Sequence, residues 1–173
     1  MITEHAIVPT FEITPISFGA TFFNQGSRAQ ENIRLAVSVE NESNNMLVFT
    51  DTIMYGNLSI DEETELVLFP TTYTPPASAE VYKVEYTLLS DQPDVTLEDN
   101  IRRFDFEISD TVFAKERIAI PSESTAPLDN EWQPGEPHSW AWGNHFFINN
   151  GMGHIAKSVT FSIPNASVLS GKI

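Results

Sequence analysis

Alternation of apolar and polar residues with a period of two constrains this chain more than any other feature. It recurs in residues 31–41, 79–89 and 100–108. Its apolar positions are Ile33, Leu35, Val37 and Val39 in the first stretch, Tyr82, Val84, Tyr86 and Leu88 in the second, and Phe104, Phe106 and Ile108 in the third. Side chains two residues apart lie on one face of a β-strand, so each stretch predicts a strand with one buried face.

Similar strand patterns run from residue 6 to residue 110, and no convincing amphipathic helix separates them. One of them follows an acidic corner and alternates through Leu66 and Leu68, and we expect Pro70 to end the strand. About seven short strands at this spacing predict an antiparallel sandwich of the immunoglobulin or fibronectin type III kind over residues 1–110. The predicted fold class is therefore all-β.

The composition of the sequence changes after residue 110. Residues 111–137 contain four prolines and little periodicity, which is typical of a linker or a long excursion. Residues 138–173 return to strand chemistry in "HFFI" and "SVTFSI", but they are too few for a domain of their own. These additional C-terminal strands either complete the first sandwich or, as we favour, belong to an incomplete second β unit. The exposed edges of such a unit would favour self-association or docking on a partner chain.

Charge excludes one class of partner. Nine Lys and Arg residues stand against 24 Asp and Glu residues, a net charge of −15, so the phosphates of a nucleic acid would be repelled. No stretch approaches the roughly 20 apolar residues of a membrane span, so we expect no membrane insertion. Residues 1–20 show no secretory leader, and the absence of cysteine excludes disulfides and thiolate chemistry.

The segment "SDQPDVTLEDN" is rich in carboxylates between two strand patterns. Asp91, Asp94 and Asp99 could supply several of the six to eight oxygens that a calcium ion binds. The alternative, which we favour, is the turn of a hairpin, because Asp and Asn side chains bond to their own backbone in turns and Pro93 fixes one. No other cofactor is predicted.

All three tryptophans, Trp132, Trp140 and Trp142, lie close together in the sequence. An aromatic cluster of this kind could stack against sugar rings, but bulky aromatics more often belong to a core. The nearby histidines, His138, His145 and His154, have spacings that fit no compact zinc pattern. Neither "GxSxG" nor "HExxH" occurs, so the sequence predicts no enzyme.

Several short motifs follow one another in a familiar order. A strand ends in Asn24-x-Gly26 and precedes the Val-rich stretch; a later hairpin carries the acidic loop, with Asp99 and Asn100 adjacent, then Phe104-x-Phe106 and Asp110. This order resembles that of CARDB-type immunoglobulin-like modules in secreted and cell-surface proteins of Bacteroidetes. The pieces "GNHFFI" and "AKSVTFSI" resemble the start of the jelly-roll-like segment that often follows them.

The resemblance implies a non-catalytic spacer, adhesion or presentation module of a larger exported protein, secreted or at the cell surface. Its partners would be neighbouring domains of the parent protein or other surface proteins. The alternative is a carbohydrate-binding module attached to a glycoside hydrolase, with polysaccharide as the ligand and the tryptophan segment as the site.

Overall fold

A computed structural model describes residues 6–94, 96–115 and 146–159. Within these ranges the chain forms seven strands and one short 3₁₀ helix, Thr10–Glu12, and no α-helix. The strands are β1 (Ile7–Pro9), β2 (Ile16–Ala20), β3 (Gln30–Asn41), β4 (Met46–Leu58), β5 (Val67–Tyr73), β6 (Glu80–Leu89) and β7 (Ile101–Ser109). The predicted all-β class is confirmed.

Two sheets form a sandwich-like arrangement, as the prediction of an immunoglobulin-like fold requires. The larger sheet has the strand order β1-β7-β6-β3-β4, and the smaller one pairs β2 with β5. Antiparallel pairing joins β7, β6, β3 and β4, and it also joins β2 to β5. The first strand departs from this pattern, because β1 pairs in parallel with β7 and places Val8 opposite Ile108. The larger sheet is therefore mixed.

The core lies between the inner faces of the two sheets. It consists of Ile16 and Phe18 of β2, Leu35, Val37 and Val39 of β3, Phe69 of β5, Tyr82, Val84 and Tyr86 of β6, and Phe106 and Ile108 of β7. Aromatic rings connect its two sides: Phe18 stacks on Phe49 at 5.2 Å between ring centroids, and Tyr73 of β5 contacts Tyr82 of β6 edge to face at 5.9 Å. Full burial of one such side chain stabilises the fold by roughly 1.5–3 kcal/mol relative to exposure.

The alternation predicted for β3 and β6 is confirmed by burial. Along β3 the side chains at positions 33, 35, 37 and 39 are buried, whereas those between them are only partly covered. Along β6 the same holds for positions 82, 84 and 86. One face of these strands packs on the smaller sheet and the other is in contact with solvent. Apolar and polar residues therefore alternate along their sequence with a period of two.

The strand β5 has the opposite register to the predicted one. Leu66 and Leu68 are about half exposed, and it is Phe69 that is buried, 6.1 Å from the ring of Tyr86 between centroids. A shift of one residue exchanges the two faces of a strand, and the larger ring occupies the core. The strand also continues through Pro70, which β5 tolerates because it pairs with one neighbour only, β2.

Gly19 allows the two strands of the smaller sheet to approach closely. A Cβ atom at this position would lie 2.8 Å from Leu68 Cδ2 and 2.9 Å from the Val67 carbonyl oxygen. The register of β2 shifts between Ser17 and Gly19, and the Gly19 N–H donates a hydrogen bond across the sandwich to the Tyr86 hydroxyl at 3.2 Å.

We expect Gly19→Ala to lower the free energy of unfolding by about 1–3 kcal/mol, because the methyl group overlaps a backbone oxygen that cannot rotate away. Chemical denaturation measures this loss. The double variant Gly19→Ala/Leu68→Ala separates the two contacts: it relieves only the side-chain overlap, so the Gly19→Ala cost persists in the Leu68→Ala background. A Gly19→Ala variant as stable as the parent protein would contradict the close approach.

The chain divides into two compact units, Met1–Arg117 and Ile118–Ile173. Of the second unit the structure describes residues 146–159, which hold a turn at Met152–Gly153 and no strand. Phe146–Ile148 therefore differ from the strand predicted at "HFFI", since no neighbouring strand within the described ranges supplies the hydrogen bonds a strand needs. The strand predicted at "SVTFSI" lies largely outside the described residues, and the predicted boundaries at 110 and 137 stay predictions. No described helix is long and apolar enough to span a membrane.

Candidate functional site

The acidic segment is the connection between β6 and β7, two consecutive antiparallel strands. The interpretation as the turn of a hairpin is confirmed. Asp91, the first carboxylate of the loop, contacts β3. Its Oδ2 accepts a hydrogen bond from Asn32 Nδ2 at 2.8 Å, and its Oδ1 lies 3.3 Å from Arg34 Nη2. Asn32 has a φ of 52°, a left-handed conformation that Asn adopts more readily than most residues.

Asp94 organises the second half of the same loop. Its Oδ1 accepts a hydrogen bond from the Thr96 N–H at 2.9 Å, and its Oδ2 accepts one from Asn100 Nδ2 at 2.8 Å. Both are local side-chain contacts of the kind that Asp and Asn make in turns. Asp91 and Asp94 therefore hold the loop in place with the same oxygens that a cation would require.

The three carboxylates of the calcium prediction do not converge. Asp99 is exposed. Throughout ranges 6–94, 96–115 and 146–159, no group of three or more His, Asp or Glu side chains is placed to hold a metal ion. Calcium binding by this loop stays a prediction to be tested in solution.

We expect calcium added to chelator-treated protein to leave the melting temperature unchanged, because the loop carboxylates already accept hydrogen bonds from Asn32, Thr96 and Asn100. A ligand that binds only the folded state at a hundredfold excess over its Kd would stabilise it by about 2.7 kcal/mol, which a thermal melt detects easily. A rise in melting temperature that Asp94→Asn removes would contradict this expectation.

The tryptophans of the carbohydrate prediction, Trp132, Trp140 and Trp142, lie outside the described residues, as do His138 and His145. His154 is described, and its backbone N–H donates a hydrogen bond to the Gly151 carbonyl at 3.0 Å. That contact belongs to a turn. Neither the sugar-binding interpretation nor the core interpretation of the tryptophans is therefore tested.

A pocket of about 320 Å³ lies where β6 begins and β7 ends. Val81 and Ile108 form part of its apolar lining, and its charged groups are Glu42, Glu80 and Glu107. Glu42 also forms an ion pair with Lys83 at 3.3 Å. Sequence reasoning missed this grouping because its members come from three separate strands or turns, which only the folded sheet brings together.

The buried Tyr82 and Tyr86 and the partly buried Tyr73 are the tyrosines of the sandwich whose pKa values are raised. Burial raises the pKa of Tyr73, with the neighbouring Tyr82 adding to the effect. Burial also raises the pKa of Tyr82, against the opposing effect of a hydrogen bond from Tyr73. The pKa of Tyr86 is raised by burial too, although the hydrogen bond from the Gly19 N–H offsets part of the increase. All three face the core, so they are structural groups and not candidates for catalysis.

Asn24 and Gly26 are the two residues of the Asn-x-Gly motif on which the family resemblance partly rests. Hydrogen bonds of Asn24 join the end of β4 to the loop before β3. Asn24 is buried, and its Nδ2 donates to the carbonyl oxygens of Arg28 at 2.9 Å and Ser59 at 3.0 Å. Its Oδ1 accepts from the Gly26 N–H at 3.0 Å. The role of the pair in this chain is therefore to fix a loop.

Comparison with known proteins adds no assignment: neither a protein-family model nor a curated protein matches this chain.

Proposed function

We propose that this chain is a non-catalytic structural and adhesion module of a larger exported protein, secreted or displayed at the cell surface. The observation that carries the proposal is the position of the two ends of the sandwich. The chain enters the sandwich at Ala6 and leaves it after Ala114, and the Ala6 N–H donates a hydrogen bond to the Ala114 carbonyl at 2.9 Å.

Three further backbone hydrogen bonds fix this junction. The Ile7 N–H also donates to Ala114 O at 3.1 Å, the Ala114 N–H donates to Ile7 O at 3.0 Å, and the Glu107 N–H donates to Ala6 O at 2.9 Å. Ala6 and Ala114 therefore lie side by side, as expected of a module inserted at one point of a parent chain. This geometry favours presentation of a surface over spacing in series.

The described surface charges fit the same proposal. Arg103 pairs with Glu85 at 2.7 Å and Lys83 pairs with Glu42 at 3.3 Å, both in exposed positions where an ion pair contributes little to stability. The net charge of −15 keeps such a module soluble. The proposed partners are neighbouring domains of the parent protein or other surface proteins, and the proposal involves no cofactor.

An in-frame deletion of residues 7–113 in the source organism tests this function. The deletion joins Ala6 to Ala114, two residues already in contact, so it removes the sandwich without stretching the rest of the chain. We expect the parent protein to be exported in its usual amount while attachment of the cells, or of the parent protein, to their surface partner is lost. Unchanged attachment would contradict the adhesion role, and loss of a catalytic activity in the deleted protein would contradict the non-catalytic one.

The second candidate function, carbohydrate binding, rests on the clustering of all three tryptophans in residues 132–142. Intrinsic tryptophan fluorescence therefore reports on this segment alone. Titration with a broad panel of polysaccharides should shift the emission if sugar rings stack on these side chains. Emission that no polysaccharide alters, in a protein whose fluorescence is quenched normally by acrylamide, would leave the structural and adhesion role as the only proposal.

A further inference from the structure

The strand β4 is the last strand of the larger sheet, and no described strand pairs with its outer edge. It is 13 residues long, and its exposed apolar side chains are Met46, Leu47, Val48, Met54 and Tyr55. We call Met46–Leu58 the β4 edge. Proteins protect such edges with Lys, Pro, β-bulges or inward-pointing charges; this strand has no Lys or Pro, and its two register shifts leave a regular stretch between them.

Backbone groups of the β4 edge are available for pairing over a regular stretch, Phe49–Met54. The register with β3 shifts on both sides of this stretch, between Ile33 and Arg34 and between Val39 and Glu40. Within it, the Thr52 N–H donates to the Asp51 carboxylate at 2.7 Å. Alternate residues of an antiparallel strand direct their N–H and C=O groups to opposite sides, so those of Thr50, Thr52 and Met54 face outward. The Thr52 N–H is already bound by Asp51, which leaves the N–H groups of Thr50 and Met54 for a partner strand.

Charge selects among the partners that could pair with this edge. Residues 46–73 contain five acidic residues and no Lys, Arg or His, and no basic residue occurs anywhere between Leu35 and Tyr82. Asp51 places one of these carboxylates in the middle of the edge, held by the Thr52 N–H and by the Thr71 hydroxyl. A second copy of this chain carries the same net charge of −15 and would place another Asp51 at the contact, whereas a cationic segment is attracted.

We propose that the β4 edge binds an extended segment of a partner polypeptide in which apolar residues alternate with Lys or Arg. The segment adds a sixth strand to the larger sheet by main-chain hydrogen bonds. Its basic residues lie on the face of Asp51, and its apolar residues lie on the opposite face, beside Met54 and Leu47. The inference rests on the proposed adhesion role and names the chemistry of the partner.

A fluorescein-labelled decapeptide of alternating Val and Lys serves as the probe, with fluorescence anisotropy as the readout. The same peptide with Glu in place of Lys is the charge control. We expect the Val-Lys peptide to bind, the Val-Glu peptide to fail, and added salt to weaken binding because the attraction is electrostatic. Equal binding of both peptides, or no binding of either, would overturn the proposal.

Two exposed side chains provide a matched pair of variants. Met54 on the β4 edge and Leu97 in the β6–β7 loop are both 65% exposed. Met54→Lys places a charge of the same sign as the probe on the edge, and we expect affinity to fall about tenfold or more, whereas Leu97→Lys changes it less than about twofold. Similar effects of the two variants would locate the binding elsewhere and refute the proposal.

Removal of single groups tests the mode of binding. Thr50→Pro deletes one outward N–H and leaves the hydrogen bonds to β3, so a folded variant should bind the peptide more weakly. Asp51→Asn should reduce the preference for the Lys peptide and keep the main-chain pairing.

If light scattering instead shows a dimer that Met54→Lys dissociates, a second copy occupies the edge and the proposal is wrong. Failure of the peptide experiments leaves the deletion test of the adhesion role unaffected, because that test removes the whole sandwich and does not ask which strand binds the partner.

Discussion

Phe18→Ala is expected to lower the free energy of unfolding by about 3–5 kcal/mol, which is a large part of the stability of a domain of this size. Phe18 is fully buried, and its ring stacks on Phe49 at 5.2 Å between centroids. It belongs to β2, which has one pairing partner only and depends on core packing for its position. Urea denaturation followed by circular dichroism measures the loss.

Phe23→Ala is the matched control for this prediction, because Phe23 is 42% exposed and lies just beyond β2. The chemical change is the same, and the expected cost is about 1 kcal/mol or less, as for most surface substitutions. Equal losses for Phe18→Ala and Phe23→Ala would mean that the core described between the two sheets is not where the stability arises.

Raising the pH above about 10 is expected to unfold the sandwich cooperatively, since the pKa values of Tyr73, Tyr82 and Tyr86 are all raised in the folded state above the ordinary tyrosine value of 10.0. Below that value both states are protonated and the stability is fully present. Above it the unfolded chain releases protons that the folded chain retains, so the free energy of unfolding falls, at most by about 1.4 kcal/mol per pH unit for each tyrosine.

Absorbance of phenolate and circular dichroism, recorded on the same samples through the alkaline range, check this prediction. Phenolate from these three tyrosines should form together with the loss of the β-sheet signal. Tyr86→Phe should make the alkaline transition less steep, because one of the three groups no longer titrates. Ionisation of all the tyrosines in a protein that retains its sheet signal would contradict the buried arrangement of the three rings.

The strands that the sequence predicted correctly are those with one buried face and one face exposed to solvent. In β3 and β6 every second residue is polar, so the pattern is written locally and needs no knowledge of the rest of the fold. Around the start of β5 the residues Leu66, Val67, Leu68 and Phe69 are all apolar, and the local pattern does not decide which of them face the core. That choice depends on distant contacts, among them the packing of Phe69 against Tyr86 and the close approach of Gly19 to Leu68.

Other features depend on contacts that no local pattern contains. The parallel pairing of β1 with β7 joins residues about a hundred positions apart, such as Ile7 and Glu107. The partners of Asp91 in β3, Asn32 and Arg34, are 59 and 57 residues away. The sequence therefore revealed a loop rich in carboxylates, but whether they gather around a cation or support the turn depends on the tertiary structure.

The most direct test of the central proposal is the location of the protein in its source organism. An antibody raised against residues 6–115 should label intact cells or detect the protein in the culture medium, as expected for a structural and adhesion module that is exported. Labelling that requires permeabilised cells, with no protein in the medium, would contradict the proposal.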